Sequence, residues 1–268
     1  LAAGVPTVWL ALLTHVNGNG LRFSSLRRSM VGGSACAPAM VEAFRALGVD
    51  VLHGWGMTEM SPLGTLSHIG PQQKSLSVER QTQLICKQGK VPFGVDMKIV
   101  DDAGAELPWD GVAAGDLHVR GPWVVSRYFG KEGLDARIDG WFPTGDVATI
   151  DPDGYMQITD RSKYVIKSGG EWISSIDLEN AAMGCPGVAE AAVIGVPHPK
   201  WDERPLLLVV RKPGAEFEKQ ELLDFLAGRV AKWWVPDDVV FVESLPVGGT
   251  GKVQKNELRQ KYGSIFSS

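Results

Sequence analysis

The first part of the chain alternates segments of strand-like and helix-like hydrophobic spacing. Residues 38–47 place apolar side chains at positions 39, 40, 43, 44 and 47, which is the spacing of one helix face. This pattern predicts helices at 1–16 and 38–47 and strands at 26–31 and 49–52, as in a layered α/β domain. Residues 65–90 are polar without a clear period, and we expect them to form a surface loop.

From about residue 90 the pattern changes to short strands separated by turns. We expect strands at 97–100, 115–120, 147–150 and 155–158. Asp151-Pro-Asp-Gly154 is a strong hairpin signal between the last two. The pattern predicts a small β-barrel-like subdomain.

The last part of the chain has the pattern of a compact α+β domain. It predicts helices at 176–183, 218–231 and 254–261 and strands at 189–195 and 205–211. The fold class is therefore α/β plus α+β. We expect 1–160 to be the end of a large layered α/β domain and 161–268 to be a small mobile α+β domain.

Composition excludes some classes of partner. The chain has 27 basic and 31 acidic residues without a basic run, so we expect no nucleic-acid partner. The apolar stretch 8–13 is far shorter than the ~20 residues of a membrane span. The three cysteines lie far apart, which fits a reducing cytoplasm. The chain begins at Leu1 within an apparent element, and we expect it to be part of a longer protein.

The segment His53-Gly-Trp-Gly-Met-Thr-Glu59 is the most specific local signal. Gly54 and Gly56 expose the backbone around Trp55, which could stack on a purine. Thr58 and Glu59 offer adjacent oxygens that suit a phosphate and its Mg²⁺. The alternative is a core tryptophan with a surface carboxylate, and His53 by itself is more typical of a structural histidine.

Two weaker segments fit the same ligand. The small residues Gly33, Ser34 and Ala35 lie between a strand and a helix, where a flat base or an acyl chain could approach the backbone. Asp146 follows a glycine at the predicted start of a strand and could accept both ribose hydroxyls. A tight turn is the plain alternative for each.

The loop Pro246-Val-Gly-Gly-Thr-Gly-Lys252 carries a glycine-flanked lysine. It is not a Walker A loop, because Pro246 and Val253 stand where that motif needs glycine and Ser or Thr. Arg161, Lys163 and Lys167 crowd the segment before the small domain. They predict either a solvated basic face or a hinge that contacts the ligand.

Taken together, these segments resemble the adenylate-forming superfamily of acyl-CoA synthetases, carrier-charging adenylation domains and firefly luciferase. The motifs match in order over essentially the whole chain. They look closest to medium- and long-chain fatty-acyl-CoA ligases and the related ligases of 3-methylthiopropionate. The superfamily's glycine-rich phosphate loop, of the type T-S-G-T-T-G-x-P-K, is absent, so we expect an N-terminal half to be missing.

The resemblance implies a role for each singled-out residue. Glu59 would bind Mg²⁺, Thr58 the α-phosphate and Asp146 the ribose with Arg161. Lys252 would stabilise the adenylation transition state, and Lys163 would be the hinge. The adenine and acyl pockets would be bordered by Gly33, Ser34, Ala35, His53, Gly54, Trp55, Gly56 and Met57, and the passage of coenzyme A by Lys167, Gly169, Gly170 and Trp172.

The implied activity is ATP-dependent ligation of a fatty or fatty-like acid to coenzyme A by domain alternation. An acid-CoA ligase for 3-methylthiopropionate or another short-chain acid is an alternative. A carrier-protein thiol or oxygen could replace coenzyme A as acceptor. A non-catalytic nucleotide- or acyl-CoA-binding fragment is the alternative from another class. The acid, its chain length and the oligomeric state, including a homodimer, stay open.

Overall fold

The computed structural model describes residues 1–130, 135–169, 171–249 and 253–266. The chain folds into two compact units, Leu1–Ile158 and Thr159–Ser268. None of the helices within these described ranges is both long and apolar enough to cross a bilayer.

The first unit begins with a four-stranded sheet of order β1-β2-β3-β4. Strands β1 (Ala2–Gly4), β2 (Arg28–Gly32) and β3 (Asp50–Gly56) are parallel, and β4 (Leu63–Ser67) is antiparallel to β3. Helices α1 (Pro6–Gly18), α2 (Pro38–Ala46) and α3 (Val78–Cys86) accompany them. Trp9, Val31 and Phe44 are among the residues of their shared hydrophobic core.

Two predictions for this region are wrong in detail. The first helix begins at Pro6 instead of residue 1, because residues 2–4 pair with β2 as a strand. Residues 65–90 do not form a loop, since they contain β4 and α3. Helix α3 buries Thr82, Leu84 and Ile85, but most of its residues are polar, and this composition led to the prediction of a loop.

A second sheet follows, with order β5-β6-β7-β8, and it lies in the first unit except for residues 159–161 at the end of β8. Its strands are β5 (Asp96–Val100), β6 (Ala114–Arg120), β7 (Phe142–Ile150) and β8 (Met156–Arg161). The hairpin turn before β8 is confirmed: Gly154 donates to the carbonyl of Asp151 at 2.8 Å, with φ of 80° at Gly154. The barrel-like expectation is wrong, because no ladder joins β5 to β8 among the described residues and four strands are too few to close.

The second unit is an α+β fold around a five-stranded sheet. Its order is β10-β9-β12-β11, with β13 beside β12. The elements are β9 (Ile166–Ser168), β10 (Glu171–Ile173), α4 (Ser175–Met183), β11 (Val188–His198), β12 (Asp202–Arg211), α5 (Lys219–Ala227), β13 (Asp238–Phe241) and α6 (Lys255–Tyr262). The predicted helices and strands are confirmed here with small shifts, the largest being α5, which ends four residues early.

Both faces of this sheet are covered. Side chains alternate along a strand, so Leu207 and Val209 of β12 face one core while Leu206 and Leu208 face another. The first core includes Leu178 of α4 and residues of α5, and the second includes Leu258 of α6. Burial on both faces explains why β12 reads as a continuous apolar run.

Candidate functional site

Two predicted segments meet at one edge of the first sheet. Ser34 follows β2 and Thr58 follows β3, and these strands are parallel neighbours with Gly32 paired to Gly54. Carboxyl ends of parallel strands share an edge, which is where open α/β sheets bind ligands. Both Ser34 and Thr58 are exposed there.

Glycines allow the close approach of backbones at this edge. A Cβ at position 32 would lie 3.3 Å from the carbonyl oxygen of Gly54. One at position 56 would overlap the carbonyl oxygen of Pro62 at 1.8 Å. Gly33 has φ of 85°, which favours glycine, and it is exposed beside half-buried Ala35.

Trp55 belongs to β3 and joins the two sheets of the first unit. Its indole Nε1–H donates a hydrogen bond of 2.9 Å to Oδ2 of Asp146 on β7. The indole also packs against the backbone at Gly64, where a Cβ would come within 2.4 Å of the ring. The half-buried ring is therefore fixed by one polar and one steric contact.

Asp146 is buried, with 3% of its surface exposed. It lies in the middle of β7 instead of at a strand start, so that part of the prediction is wrong. Its backbone N–H donates to the hydroxyl of Thr144 at 3.1 Å, and that hydroxyl donates to the carbonyl of Leu117 at 2.8 Å. These bonds fix the backbone at Asp146, while the buried carboxylate itself is held by the Trp55 N–H, since burial without a partner is costly.

Residues 121–128 form a support beneath the turn that carries Glu59, which sequence reasoning missed. Val125 N–H donates to the Glu59 carbonyl at 2.8 Å. The Ser61 hydroxyl donates to the Trp123 carbonyl at 3.2 Å, and the Trp123 indole donates to the Leu63 carbonyl at 3.2 Å. Three hydrogen bonds thus fix the turn to this segment.

The Glu59 carboxylate itself accepts a hydrogen bond from Tyr128. The Tyr128 hydroxyl lies 3.1 Å from Oε1 of Glu59. Partial burial, together with this carboxylate, raises the pKa of Tyr128. Tyr128 therefore remains a protonated donor at neutral pH.

His53 lies in the interior beneath the site edge, with 1% exposure. Its Nδ1–H donates to the carbonyl of Ile85 at 3.1 Å, which anchors β3 to the end of α3. Burial lowers the pKa of His53, so the ring is neutral. Gly54 is also buried, whereas Met57 is half-buried.

The second unit holds the predicted hinge and coenzyme A residues. Arg161 ends β8, and exposed Lys163 offers its carbonyl to Nη1 of Arg259 at 2.8 Å. Lys167 and Trp172 are paired across β9 and β10, and the Lys167 ammonium lies 5.4 Å from the centroid of an indole ring of Trp172.

Gly169 has φ of 60° and donates its N–H to the carbonyl of Trp201 at 2.9 Å. A Cβ there would lie 3.0 Å from the Trp201 ring, so only glycine fits without adjustment. Gly170 and Lys252 lie outside the described residues.

A buried ionic cluster in the second unit was not predicted. The Lys255 ammonium lies 2.7 Å from Oε1 of Glu179 and also donates to the hydroxyl of Ser175. Oε1 of Glu179 accepts the N–H of Val193 at 2.7 Å, and Oδ2 of Asp160 accepts the N–H of Ser175 at 2.9 Å. Ser175 and Glu179 are four residues apart and therefore lie on the same face of α4. This spacing of two polar residues is the sequence pattern from which the cluster could have been predicted.

Within the described ranges, no group of three or more His, Cys, Asp or Glu side chains is placed to hold a metal ion. Thr58 and Glu59 nevertheless put a hydroxyl and a carboxylate side by side on a short 3-10 helix, Thr58–Met60. One carboxylate completed by phosphate oxygens is a usual way to bind Mg²⁺. The residues present therefore fit a metal ion that arrives with a nucleotide.

Two family profiles match the chain. "AMP-binding enzyme" covers residues 1–129, and "AMP-binding enzyme C-terminal domain" covers residues 177–252. The chain therefore belongs to the AMP-binding enzymes, and the predicted resemblance to adenylate-forming proteins is confirmed.

Relatives with assigned names belong to the same family. The chain is 56% identical to the 3-methylmercaptopropionyl-CoA ligase of Ruegeria lacuscaerulensis, over 98% of this chain and 49% of the relative. It is 50% identical to the medium-chain-fatty-acid–CoA ligase of Ectopseudomonas oleovorans, over 99% of this chain and 49% of that protein. The chain thus spans about half the length of these relatives.

A solved structure shows the same fold. ATP-bound MatB from Rhodopseudomonas palustris superposes with a TM-score of 0.81 at 31% identity, covering 98% of this chain and 51% of that one.

Proposed function

We propose that this chain is part of an ATP-dependent acid-CoA ligase. The enzyme would convert a fatty or fatty-like carboxylate to acyl-AMP with release of pyrophosphate, then pass the acyl group to coenzyme A. The observation that carries the proposal is the Trp55–Asp146 hydrogen bond beside the strand ends that present Ser34 and Thr58. The names of the matched relatives support the same activity.

In the first unit, this geometry supports a nucleotide site. Asp146 would accept hydrogen bonds from the ribose hydroxyls. The adenine would lie beside Trp55, at the carboxyl ends of β2 and β3. Exposed Thr58 would donate its hydroxyl to the α-phosphate. Gly33 and Ser34 would border the base, because neither carries a bulky side chain.

Glu59 would hold the Mg²⁺ that accompanies ATP. When bound, the ion would supply positive charge to the phosphate oxygens of the transition state. Glu59 is suited to this because its carboxylate is half-buried on a turn that three hydrogen bonds immobilise.

Residues 161–268 would form the small mobile domain that takes part in both steps, with 1–160 as the end of the large one. Lys163 would be the hinge, Arg161 would assist at the ribose, and Lys252 would stabilise the adenylation transition state. Gly169, Gly170, Lys167 and Trp172 would border the passage of coenzyme A.

The proposed activity consists of two half-reactions. A carboxylate oxygen of the acid attacks the α-phosphorus of ATP, and the bond to pyrophosphate breaks. The thiol sulfur of coenzyme A then attacks the acyl carbonyl carbon, AMP leaves with the oxygen, and the thiol proton is released. Adenylation is needed because oxide is a poor leaving group from a carboxylate.

A second candidate substrate is 3-methylmercaptopropionate. The 56% identity to a ligase named for its coenzyme A thioester supports this acid. The 50% identity to a medium-chain fatty-acid ligase supports a longer chain.

The test is carboxylate-dependent ATP–pyrophosphate exchange by the protein expressed at the full length of its gene. Acids would run from propionate and 3-methylmercaptopropionate to palmitate. We expect exchange with one class of acid, and thioester formation when coenzyme A is added. Absence of exchange with every acid in an intact full-length sample would favour a non-catalytic nucleotide- or acyl-CoA-binding protein.

A further inference from the structure

The Glu59 side chain receives a hydrogen bond from a segment about seventy residues away in sequence. Tyr128 donates its hydroxyl to Oε1 of Glu59 at 3.1 Å. The same segment bonds the Glu59 backbone through Val125 at 2.8 Å. Residues 121–128 therefore hold both the main chain and the carboxylate of Glu59.

We infer that Tyr128 is a positioning residue that holds the Glu59 carboxylate in the orientation needed to receive a divalent cation bound to a nucleotide. This inference rests on the proposed function, since it concerns the same site.

The chemistry of carboxylates explains why such a donor is useful. A glutamate has three rotatable side-chain torsions, and binding a cation requires one orientation among many. A carboxylate has about four lone-pair positions, so a hydroxyl on Oε1 leaves positions for a cation. Groups that hydrogen-bond metal-ligating carboxylates typically change metal affinity by about 10–100-fold when they are removed.

The surroundings of Tyr128 argue against a mainly structural role. The residue is 42% exposed, so its hydroxyl contributes little to a hydrophobic core. The backbone of the segment that carries Tyr128 is held separately, because the Val125 N–H donates to the Glu59 carbonyl and the Trp123 indole donates to the Leu63 carbonyl. Tyr128→Phe keeps the ring and removes the hydrogen bond to the Glu59 carboxylate, and its thermal unfolding shows whether the fold is unchanged.

The test measures binding of Mn²⁺ by electron paramagnetic resonance in the full-length protein, in the presence of α,β-methylene-ATP. We expect Tyr128→Phe to weaken Mn²⁺ binding by about tenfold. Tyr262→Phe removes the same hydroxyl from the second unit and should bind Mn²⁺ as the parent does. Equal thermal unfolding of the two variants would show that each is folded.

A double variant separates positioning from other effects. In a Glu59→Gln background, Tyr128→Phe should cause no further loss, because the carboxylate it orients is gone. Unchanged Mn²⁺ affinity in Tyr128→Phe, or an equal further loss in the Glu59→Gln background, would overturn the inference. A parent protein that binds no nucleotide with Mn²⁺ would instead overturn the proposed function itself.

Discussion

Two acidic side chains, buried Asp146 in the first unit and half-buried Glu179 in the second, have different surroundings. Asp146 in the first unit accepts an indole N–H from Trp55, close to exposed strand ends. Glu179 in the second unit is paired with the Lys255 ammonium and also accepts a backbone N–H, within an ionic cluster that ties α4 to α6. The difference teaches that burial alone does not identify a functional carboxylate.

The largest expected effect is on the rate of adenylation, and it should distinguish Lys252 from Lys255, three residues further along the chain. Lys252→Ala should lower the rate of acyl-AMP formation by about 10²–10³, the usual cost of one preorganised group at a transition state. Single-turnover formation of acyl-AMP would measure it. Thioester formation from supplied acyl-AMP should be much less affected, and equal losses in both steps would defeat the assignment.

Lys255, by contrast, should matter for stability. Lys255→Met leaves the Glu179 carboxylate buried without its cation, which should cost about 3 kcal/mol of unfolding free energy. Hydrogen exchange at the Val193 amide, which donates to Glu179, would measure the loss locally.

Lys219→Met is the matched control, because the Lys219–Asp238 pair is largely exposed. It should cost no more than about 1 kcal/mol. Equal effects of the two substitutions would show that the Lys255 cluster is no more than a surface pair.

Trp55→Phe tests the surroundings of Asp146 in the first unit. Phenylalanine keeps an aromatic ring but lacks the N–H that holds Asp146, so we expect the KM for ATP to rise by about tenfold. The preference for ATP over 2′-deoxyATP should shrink as well, since the proposed contact of Asp146 with the ribose would be loosened.

Trp109→Phe provides the control for this prediction, because Trp109 is a partly exposed tryptophan of the same unit. It should change neither KM nor nucleotide preference. A rise in KM that is equal for ATP and 2′-deoxyATP would point to lost packing instead of a misplaced Asp146.

The smallest expected effect is the change with pH in the stability of the first unit. Burial lowers the pKa of His53 in the folded state, so below its ordinary pKa of about 6.5 the unfolded chain binds a proton that the folded chain does not. Stability should therefore fall as the pH drops below about 6.5, by at most roughly 1.4 kcal/mol per pH unit. Urea unfolding followed by hydrogen exchange of peptides from the first unit would measure it.

His53→Asn keeps an N–H donor near the position of Nδ1 but removes the titrating group. This variant should lose less stability between pH 7 and pH 5.5 than the parent. The same slope in both proteins would assign the pH dependence to other groups, such as His118, whose pKa is lowered by burial and then by Lys98.

Local signals predicted much of the fold. Helix α2 was recognisable from the spacing of its apolar residues, and the turn at 151–154 from its Asp-Pro-Asp-Gly sequence. Helix α3 was missed because most of its nine residues are polar, although it buries three residues, as α2 does. The barrel-like expectation failed because strand spacing indicates strands but not whether the outer ones pair.

The sequence by itself determined to which family the chain belongs, and it predicted which residues carry the chemistry, because motifs such as His53–Glu59 are contiguous. Tertiary structure alone decided which of them meet. Trp55 and Asp146 are 91 residues apart, Glu59 and Tyr128 are 69 apart, and Ser175 and Lys255 are 80 apart. No periodicity encodes such pairs, since they arise only when separate elements pack together and their buried polar groups must find partners.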